Sequence, residues 1–478
     1  MVQVDKRDHT GIGVKTCRIH DRMRDFCISK AKEDNFIEIV EHHDQINLAS
    51  ASHNAIIQSR RIAIHLGSHF GMHQVHSQIR SLLWSEVDND VNVLQLANKK
   101  FRLLRVLELG SARLERNLLK MPRELGNLVH LRYLGLRNAE ISEFPYCLGR
   151  LRNLHTLDLR LKVSVYSLTE SASQLTRLRH LFLPDYRHTR DLTWSRCHFK
   201  MDSLTSIQSL KHIRAEASVK GGAFLRLTNL QSLIVQFKNP AELRLLVESP
   251  TFHLGRIRSL EMYMQGDYEF PSLKSLSYCQ LLSKLCLAGK ISRDSSTHAL
   301  QSLPTSLAKL VLRYTEIKQD GIRVLEKLLI NLRFLLLGYD SCKDSLMIFS
   351  SDGFPKLETL QLFGLFKLED WIVEKGSMPG LKRLDIECVP KLTMLPHGLS
   401  YVTSLQELNI IRMNRFRARL QVKDGKQGED FYKVQHVPTV SFLNTTVLLL
   451  FTLYIYKFSF FCFYFLFLCF TTCLLVAS

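Results

Sequence analysis

An α/β solenoid built on a parallel sheet is the fold class this sequence predicts, and three observations predict it. The first is a pattern: Leu-x-x-Leu-x-Leu recurs as Leu104/Leu107/Leu109, Leu131/Leu134/Leu136, Leu154/Leu157/Leu159 and Leu178/Leu181/Leu183. The second is a period. The pattern returns as Leu282/Leu285/Leu287, Leu307/Leu310/Leu312, Leu332/Leu335/Leu337, Leu357/Leu360/Leu362, Leu381/Leu384/Ile386 and Leu405/Leu408/Ile410, with first positions 25, 25, 25, 24 and 24 residues apart. The third is geometric: the last two apolar positions flank one outward residue of a short strand, so both point into a core. This pattern at this period is that of a leucine-rich repeat, a horseshoe with a parallel sheet on its concave side.

The elements before the repeats follow from shorter signals. Val2 and Val4 alternate with polar neighbours, Asp8 to Gly13 supplies turn residues, and Val14 to Ile19 forms a second strand of a hairpin. Met23, Phe26, Cys27, Lys30 and Ala31 fall on one helical face, with Asp21 placed to cap the first turn. Gly11 to Thr16 resembles a phosphate loop only in composition. That motif needs glycines at positions 9 and 14, where His9 and Val14 stand, so the stretch reads as a turn. Residues 41–58, with His42, His43, Asp44, Asn47 and Ser50, read as a linker. A metal site there would need a second ligand cluster, and none exists at ligand spacing.

Arg60 to His65 alternates as a first strand, and Ile79 to Trp84 fits the pattern one period before Leu104. With the irregular middle copies Leu210/Ile213/Ala215, Leu230/Leu233/Val235 and Ile257/Leu260/Met262, the array has fourteen copies from Ile79 onward. It is expected to occupy residues 59–438. No single copy buries its own leucines, so the array must be continuous.

Lys plus Arg outnumber Asp plus Glu by 64 to 45, a net charge of +19 that fits nucleic acid, anionic lipid or an acidic protein. One column narrows the choice. The residue after the first repeat position is Arg80, Arg105, Arg132, His155, Arg179 and Lys211 in the first six copies. It then becomes mixed: Gln231, Arg258, Ser283, Ala308, Arg333, Glu358, Lys382 and Gln406. At strand spacing the first six make a positive stripe about 25 Å long, suited to an acidic helix or loop. Aromatic interleaving and helix-turn-helix signals are absent, so nucleic acid is not expected as a partner. The eleven cysteines form no C-x-x-C pair, which fits reduced thiols in an intracellular protein. No motif assembles a catalytic constellation, and an enzyme is not expected.

The stretch Val14 to Phe36, with Ile19-His20-Asp21 before the helix, resembles the end of the nucleotide-binding region of plant disease-resistance proteins of the coiled-coil, nucleotide-binding, leucine-rich-repeat class. Met121 to Leu136, Ile141 to Pro145, Leu151 to Leu159 and Gly428 to Pro438 extend the resemblance to roughly residues 1–440. The extracellular plant receptor type has Asn at positions held here by Ala112, Ala139 and Lys162. The resemblance implies that residues 1–40 are a winged-helix remnant. It also places His20 and Asp21 in a nucleotide-sensing Met-His-Asp motif whose first residue is replaced by Ile19. The phosphate loop has no counterpart, so no cofactor is expected, and Met1 is read as internal to a longer ancestral protein. The resemblance further implies protein partners: an acidic coiled coil or nucleotide-binding region packing on early-repeat arginines, and a pathogen effector or guarded host protein.

The end of the chain, residues 439–478, is a hydrophobic tail. Phe458 to Val476 holds nineteen residues without a charge, enough to cross a bilayer as a helix. One reading is a membrane anchor on a cytoplasmic repeat scaffold. The other is a translation of T-rich noncoding DNA, which gives the same Phe, Leu, Tyr and Cys bias.

Overall fold

The computed structural model describes residues 2–7, 14–19, 21–40, 59–65, 77–85, 101–110, 119–120, 123–137, 141–143, 146–160, 170–184, 201, 203–215, 224, 226–249, 252, 254–291, 296–420 and 428–443. His20, the linker histidines and the hydrophobic tail lie outside the described residues. Among those described, no helix is long and apolar enough to cross a membrane. The chain divides into two compact units, residues 24–257 and residues 258–478 taken with 1–23.

The N-terminal segment forms the expected hairpin. Strands β1 (Val2–Arg7) and β2 (Val14–Ile19) pair antiparallel, with Val2 opposite Ile19 and Arg7 opposite Val14. Helix α1 (Asp21–Glu33) follows.

The main sheet of residues 24–257 is a parallel ladder of nine short strands among the described residues. They are β3 (Glu38–Val40), β4 (Arg61–His65), β5 (Ser81–Ser85), β6 (Val106–Gly110), β7 (Tyr133–Gly135), β8 (Thr156–Asp158), β9 (His180–Phe182), β10 (Ser209–Arg214) and β11 (Ser232–Phe237). The ladder therefore reaches back to Glu38, upstream of the expected start at residue 59. Leu107, Leu134, Leu157, Leu181, Leu210 and Leu233 share one register row, and all are buried. Each such side chain stabilises the stack by roughly 1.5–3 kcal/mol, which only neighbouring copies can provide. Short 3-10 turns such as Arg123–Asn127 and Tyr146–Arg150 return the chain between strands. Gly126 makes their stacking possible, because a Cβ there would lie 2.7 Å from the Cys147 side chain.

The sequence frame around β10 is corrected by its register. Leu210 pairs with Leu181 and Leu233, so the preceding buried Ile207 holds the first repeat position, not Leu210. An irregularity between Leu210 and Ile213, with His212 at φ 64, places Ile213 opposite Val235. Apolar residues at 207, 210, 213 and 215 allow two frames, and the bulge decides between them.

The main ladder of residues 258–478 has eight parallel strands among the described residues: β12 (Ser259–Met264), β13 (Lys284–Ala288), β14 (Lys309–Arg313), β15 (Phe334–Gly338), β16 (Thr359–Phe363), β17 (Arg383–Glu387), β18 (Glu407–Ile411) and β19 (Thr439–Leu443). From β12 to β18 the pairs match residue for residue without a bulge. The constant period enforces this. The residue after each strand from β13 to β18 takes positive φ: Gly289, Tyr314, Tyr339, Gly364, Cys388 and Arg412. The first five donate backbone N–H groups to carbonyls of the following repeat at 2.8–3.3 Å.

A buried charge cluster closes the array. Lys433 Nζ donates to Asp430 Oδ1 at 2.8 Å and to the Leu395 carbonyl at 2.7 Å, and Arg419 Nε donates to Asp430 Oδ2 at 2.9 Å. Asp430 and Lys433 are both buried, so each depends on the others for solvation.

Candidate protein-binding face

The basic column is a physical row held by backbone hydrogen bonds. Arg80 N donates to Arg60 O, Arg105 N to Arg80 O, and Arg132 N to Arg105 O, each at 2.7 Å. His155 N then donates to Arg132 O and Arg179 N to His155 O, both at 2.8 Å. These residues sit where one strand begins beside the next, so their separation is fixed at about 4.8 Å per step. The row has a member that the leucine frame missed. Arg60 lies one step before Arg80, and its alternating strand Arg61–His65 was the available signal.

The next occupant after Arg179 is Gln208, whose N–H donates to Arg179 O at 2.8 Å, and Gln231 follows. Lys211 lies three residues further along, opposite Phe182, with its Nζ 5.1 Å from that ring centre. The structure thus brings together Arg60, Arg80, Arg105, Arg132, His155 and Arg179, and sets Lys211 in a neighbouring column. Asp21 begins helix α1, and His20 lies outside the described residues.

Electrostatics along the row show uncompensated positive charge. Burial, then the charges of Arg105 and Arg60, lower the Arg80 guanidinium below its ordinary value. Burial, then Arg179, Arg132 and Arg177, hold the His155 imidazole below 6.5. None of the six row residues has a carboxylate within ion-pair distance among the described residues.

The carboxylates nearest along the strands are committed to other partners. Tyr133 donates its hydroxyl to Glu108 Oε2 at 2.7 Å. Asp158 accepts from Arg137 Nη2 at 3.0 Å and from Arg160 Nε at 2.8 Å. Burial pushes the Asp158 carboxyl up to about 7 against the pull of Arg137, with the nearby Glu108 charge adding to the rise. Gly135 makes this arrangement possible: a Cβ there would sit 1.8 Å from Glu108 Oε2. The mid-strand carboxylates therefore have partners of their own, whereas no carboxylate pairs with the row at the strand starts among the described residues.

A family model described as a leucine-rich repeat region matches residues 78–426. The chain is 33% identical to a probable disease resistance RPP8-like protein 4 of Arabidopsis thaliana, over 90% of this chain and 46% of that protein. It is 33% identical to the disease resistance protein RPP8 of the same plant, with the same coverage. The disease susceptibility protein LOV1, also from Arabidopsis thaliana, is 32% identical over 93% of this chain and 47% of its own length. The chain spans about half the length of these relatives.

Proposed function

The chain belongs to the leucine-rich-repeat family, and from that premise we propose that it serves as the sensing and autoinhibitory repeat region of a plant intracellular immune receptor. It acts in the cytoplasm by binding proteins, not by catalysis. The names of its relatives, resistance and susceptibility proteins alike, support a role in the defence response. One observation carries the mechanism: six cationic or titratable side chains in consecutive repeats share one backbone-fixed row without a carboxylate partner among the described residues.

A row of fixed positive charge at about 4.8 Å intervals fits an acidic helix or loop better than a point ligand. Docking such a segment relieves the repulsion that depresses Arg80 and His155, so the array is more stable with its partner than without it. That differential is what an off state needs: the bound segment holds the receptor closed, and effector or guarded host protein competes for the same array.

The test is titration of the chain with a separately supplied acidic coiled-coil fragment at low and physiological salt. The unaltered chain is expected to bind, with affinity falling as salt rises. The combined variant Arg105→Glu, Arg132→Glu and Arg179→Glu is expected to lose binding by at least about tenfold. Equal binding by both chains would remove the proposal.

A further inference from the structure

A second gathering of charge in residues 24–257 lies away from the strand starts and is built around a buried acid. Glu108, Gly135, Asp158, Phe182 and Lys211 stand opposite one another in a single register row on strands β6 to β10. Gly135 has no side chain, and Glu108 leans into that gap beside Asp158: a Cβ on Gly135 would strike the Glu108 carboxylate. The Asp158 side chain is 2% exposed, whereas those of Arg137 and Arg160, which donate to it, are 24% and 36% exposed. Arg160 also lies 5.1 Å from the Phe182 ring centre, and Lys211 lies at the same distance from that ring. Three cations thus gather around Asp158, while the other acid of the row, Glu108, is engaged by Tyr133.

The acid and its two guanidiniums differ in access to water. Asp158 is closed off, so keeping it charged is costly. Arg137 and Arg160 are open on one side, and a guanidinium has five donors, so a second carboxylate can reach them from solvent while Asp158 stays in place. The negative charge of that arrival would favour the neutral form of Asp158. The groups facing Asp158 are Glu108 on β6, Tyr133 on β7 with Arg137 after it, Arg160 after β8, His180 on β9 and Lys211 on β10. Burial raises the Asp158 carboxyl and Glu108 adds to the rise, against Arg137 and Lys211. Burial, then Arg179, Lys211 and His155, hold His180 below 6.5, so Asp158 is the member of this group placed to take up a proton near neutral pH. With Asp158 neutral, Arg137, Arg160 and Lys211 face Glu108 alone, and that surplus of positive charge selects an anionic partner.

We infer that Arg137 and Arg160 form a docking point for a carboxylate on an acidic segment of a protein partner, and that Asp158 holds their place until the partner arrives and then takes up a proton from solvent. The inference rests on the reading of the chain as a protein-binding array but uses no residue of the arginine row.

The experiment is calorimetric titration of the full chain with a short glutamate-rich peptide, in two buffers of different ionisation enthalpy and at pH 6.5 and pH 8. It is run on the unaltered chain and on the variant carrying Arg105→Glu, Arg132→Glu and Arg179→Glu, each with and without Asp158→Asn. Asparagine keeps the shape of the neutral acid and its acceptor oxygen. The row variant is expected to bind the peptide about eightfold more tightly at pH 6.5 than at pH 8, with proton uptake on binding. Asp158→Asn is expected to abolish both the uptake and the pH dependence in either background. Adding Arg137→Gln and Arg160→Gln to Asp158→Asn, which leaves no buried charge unpaired, is expected to weaken binding about tenfold. Equal proton uptake with Asp158→Asn, full binding without the two arginines, or displacement by a single-stranded oligonucleotide would overturn the inference. Peptide binding that vanishes in the row variant alone would also overturn it, while leaving the arginine row as the docking face.

Discussion

Each unit carries a column of backbone-bonded residues at its strand starts, and the two columns use charge in opposite ways. In residues 24–257 it reads Arg60, Arg80, Arg105, Arg132, His155, Arg179, and among the described residues none of these has a carboxylate partner. In residues 258–478 the equivalent ladder reads Arg258, Ser283, Ala308, Arg333, Glu358, Lys382, Gln406. There the signs alternate, and Glu358 accepts from Arg333 Nη1 at 2.6 Å and from Lys382 Nζ at 3.2 Å. Nearby Arg383 Nη1 reaches Glu407 at 2.9 Å, and Arg412 reaches Glu387. Identical geometry thus yields inter-repeat staples in one half and an unsatisfied field in the other. A repeat array needs no charge at this position to fold, so a run of like charges there is a cost that the row itself does not offset.

The strongest way to sharpen the contrast is at charges that are buried as well as paired. Lys433→Met removes the cation that bridges Asp430 and the Leu395 carbonyl, leaving Asp430 with Arg419 in a site closed to water. A loss of about 3–5 kcal/mol is expected for the end of the array. Hydrogen exchange at the Leu395 amide, which donates to Asp430 at 3.3 Å, reads it locally. Burial would raise the Asp430 carboxyl, but hydrogen bonds from Arg419 and Lys433 hold it below the ordinary value. A depressed folded-state pKa contributes stability above the unfolded value that is lost as pH falls through the folded one. Protection at Leu395 should therefore survive mild acid and collapse only below the usual carboxylate range. Unchanged exchange in the variant would show that the cluster is ornamental.

What could be read from the residues alone follows from how tightly each feature is tied to period. From Leu282 to Ile410 the strand period of two and the repeat period of 24 or 25 agree, so strand, register and core were all legible. Gln208 and Lys211 were not separable, because the bulge at His212 makes two leucine frames equivalent until pairing is known. Arg60 escaped because Arg61–His65 has no leucine copy leading into it. The ring cluster of Tyr314, Tyr339 and Phe363 was invisible for another reason: these residues occupy two different repeat positions, and only the left-handed turns after β14 and β15 bring them together.

Exchanging the charge logic of the two halves gives smaller effects of opposite sign. Glu358→Arg turns the Arg333, Glu358, Lys382 staple into a like-charged run, and a loss of about 1 kcal/mol is expected for these partly exposed pairs. Arg132→Glu does the reverse, setting a carboxylate between Arg105 and His155, and should stabilise residues 24–257 by up to about 1 kcal/mol. Thermal melts at low and high salt check both, since screening should shrink each difference. If Arg132→Glu destabilises instead, a counter-charge is already bound to the row.

The finest probe of the same field is the titration of His155. Burial and then the charges of Arg179, Arg132 and Arg177 hold its folded-state pKa below 6.5, so the folded chain binds this proton less readily than the unfolded chain. By linkage, stability declines as pH falls from the unfolded value toward the folded one, because protonation favours the unfolded state in that window. Proton-detected nuclear magnetic resonance of the imidazole should give a midpoint below 6.5. In Arg132→Glu that midpoint should rise, because one repulsive neighbour becomes attractive while the burial contribution stays. Adding the acidic coiled-coil fragment should raise it in the unaltered chain for the same reason. A midpoint that moves with Arg132→Glu but ignores the fragment would place the acidic partner somewhere other than this row.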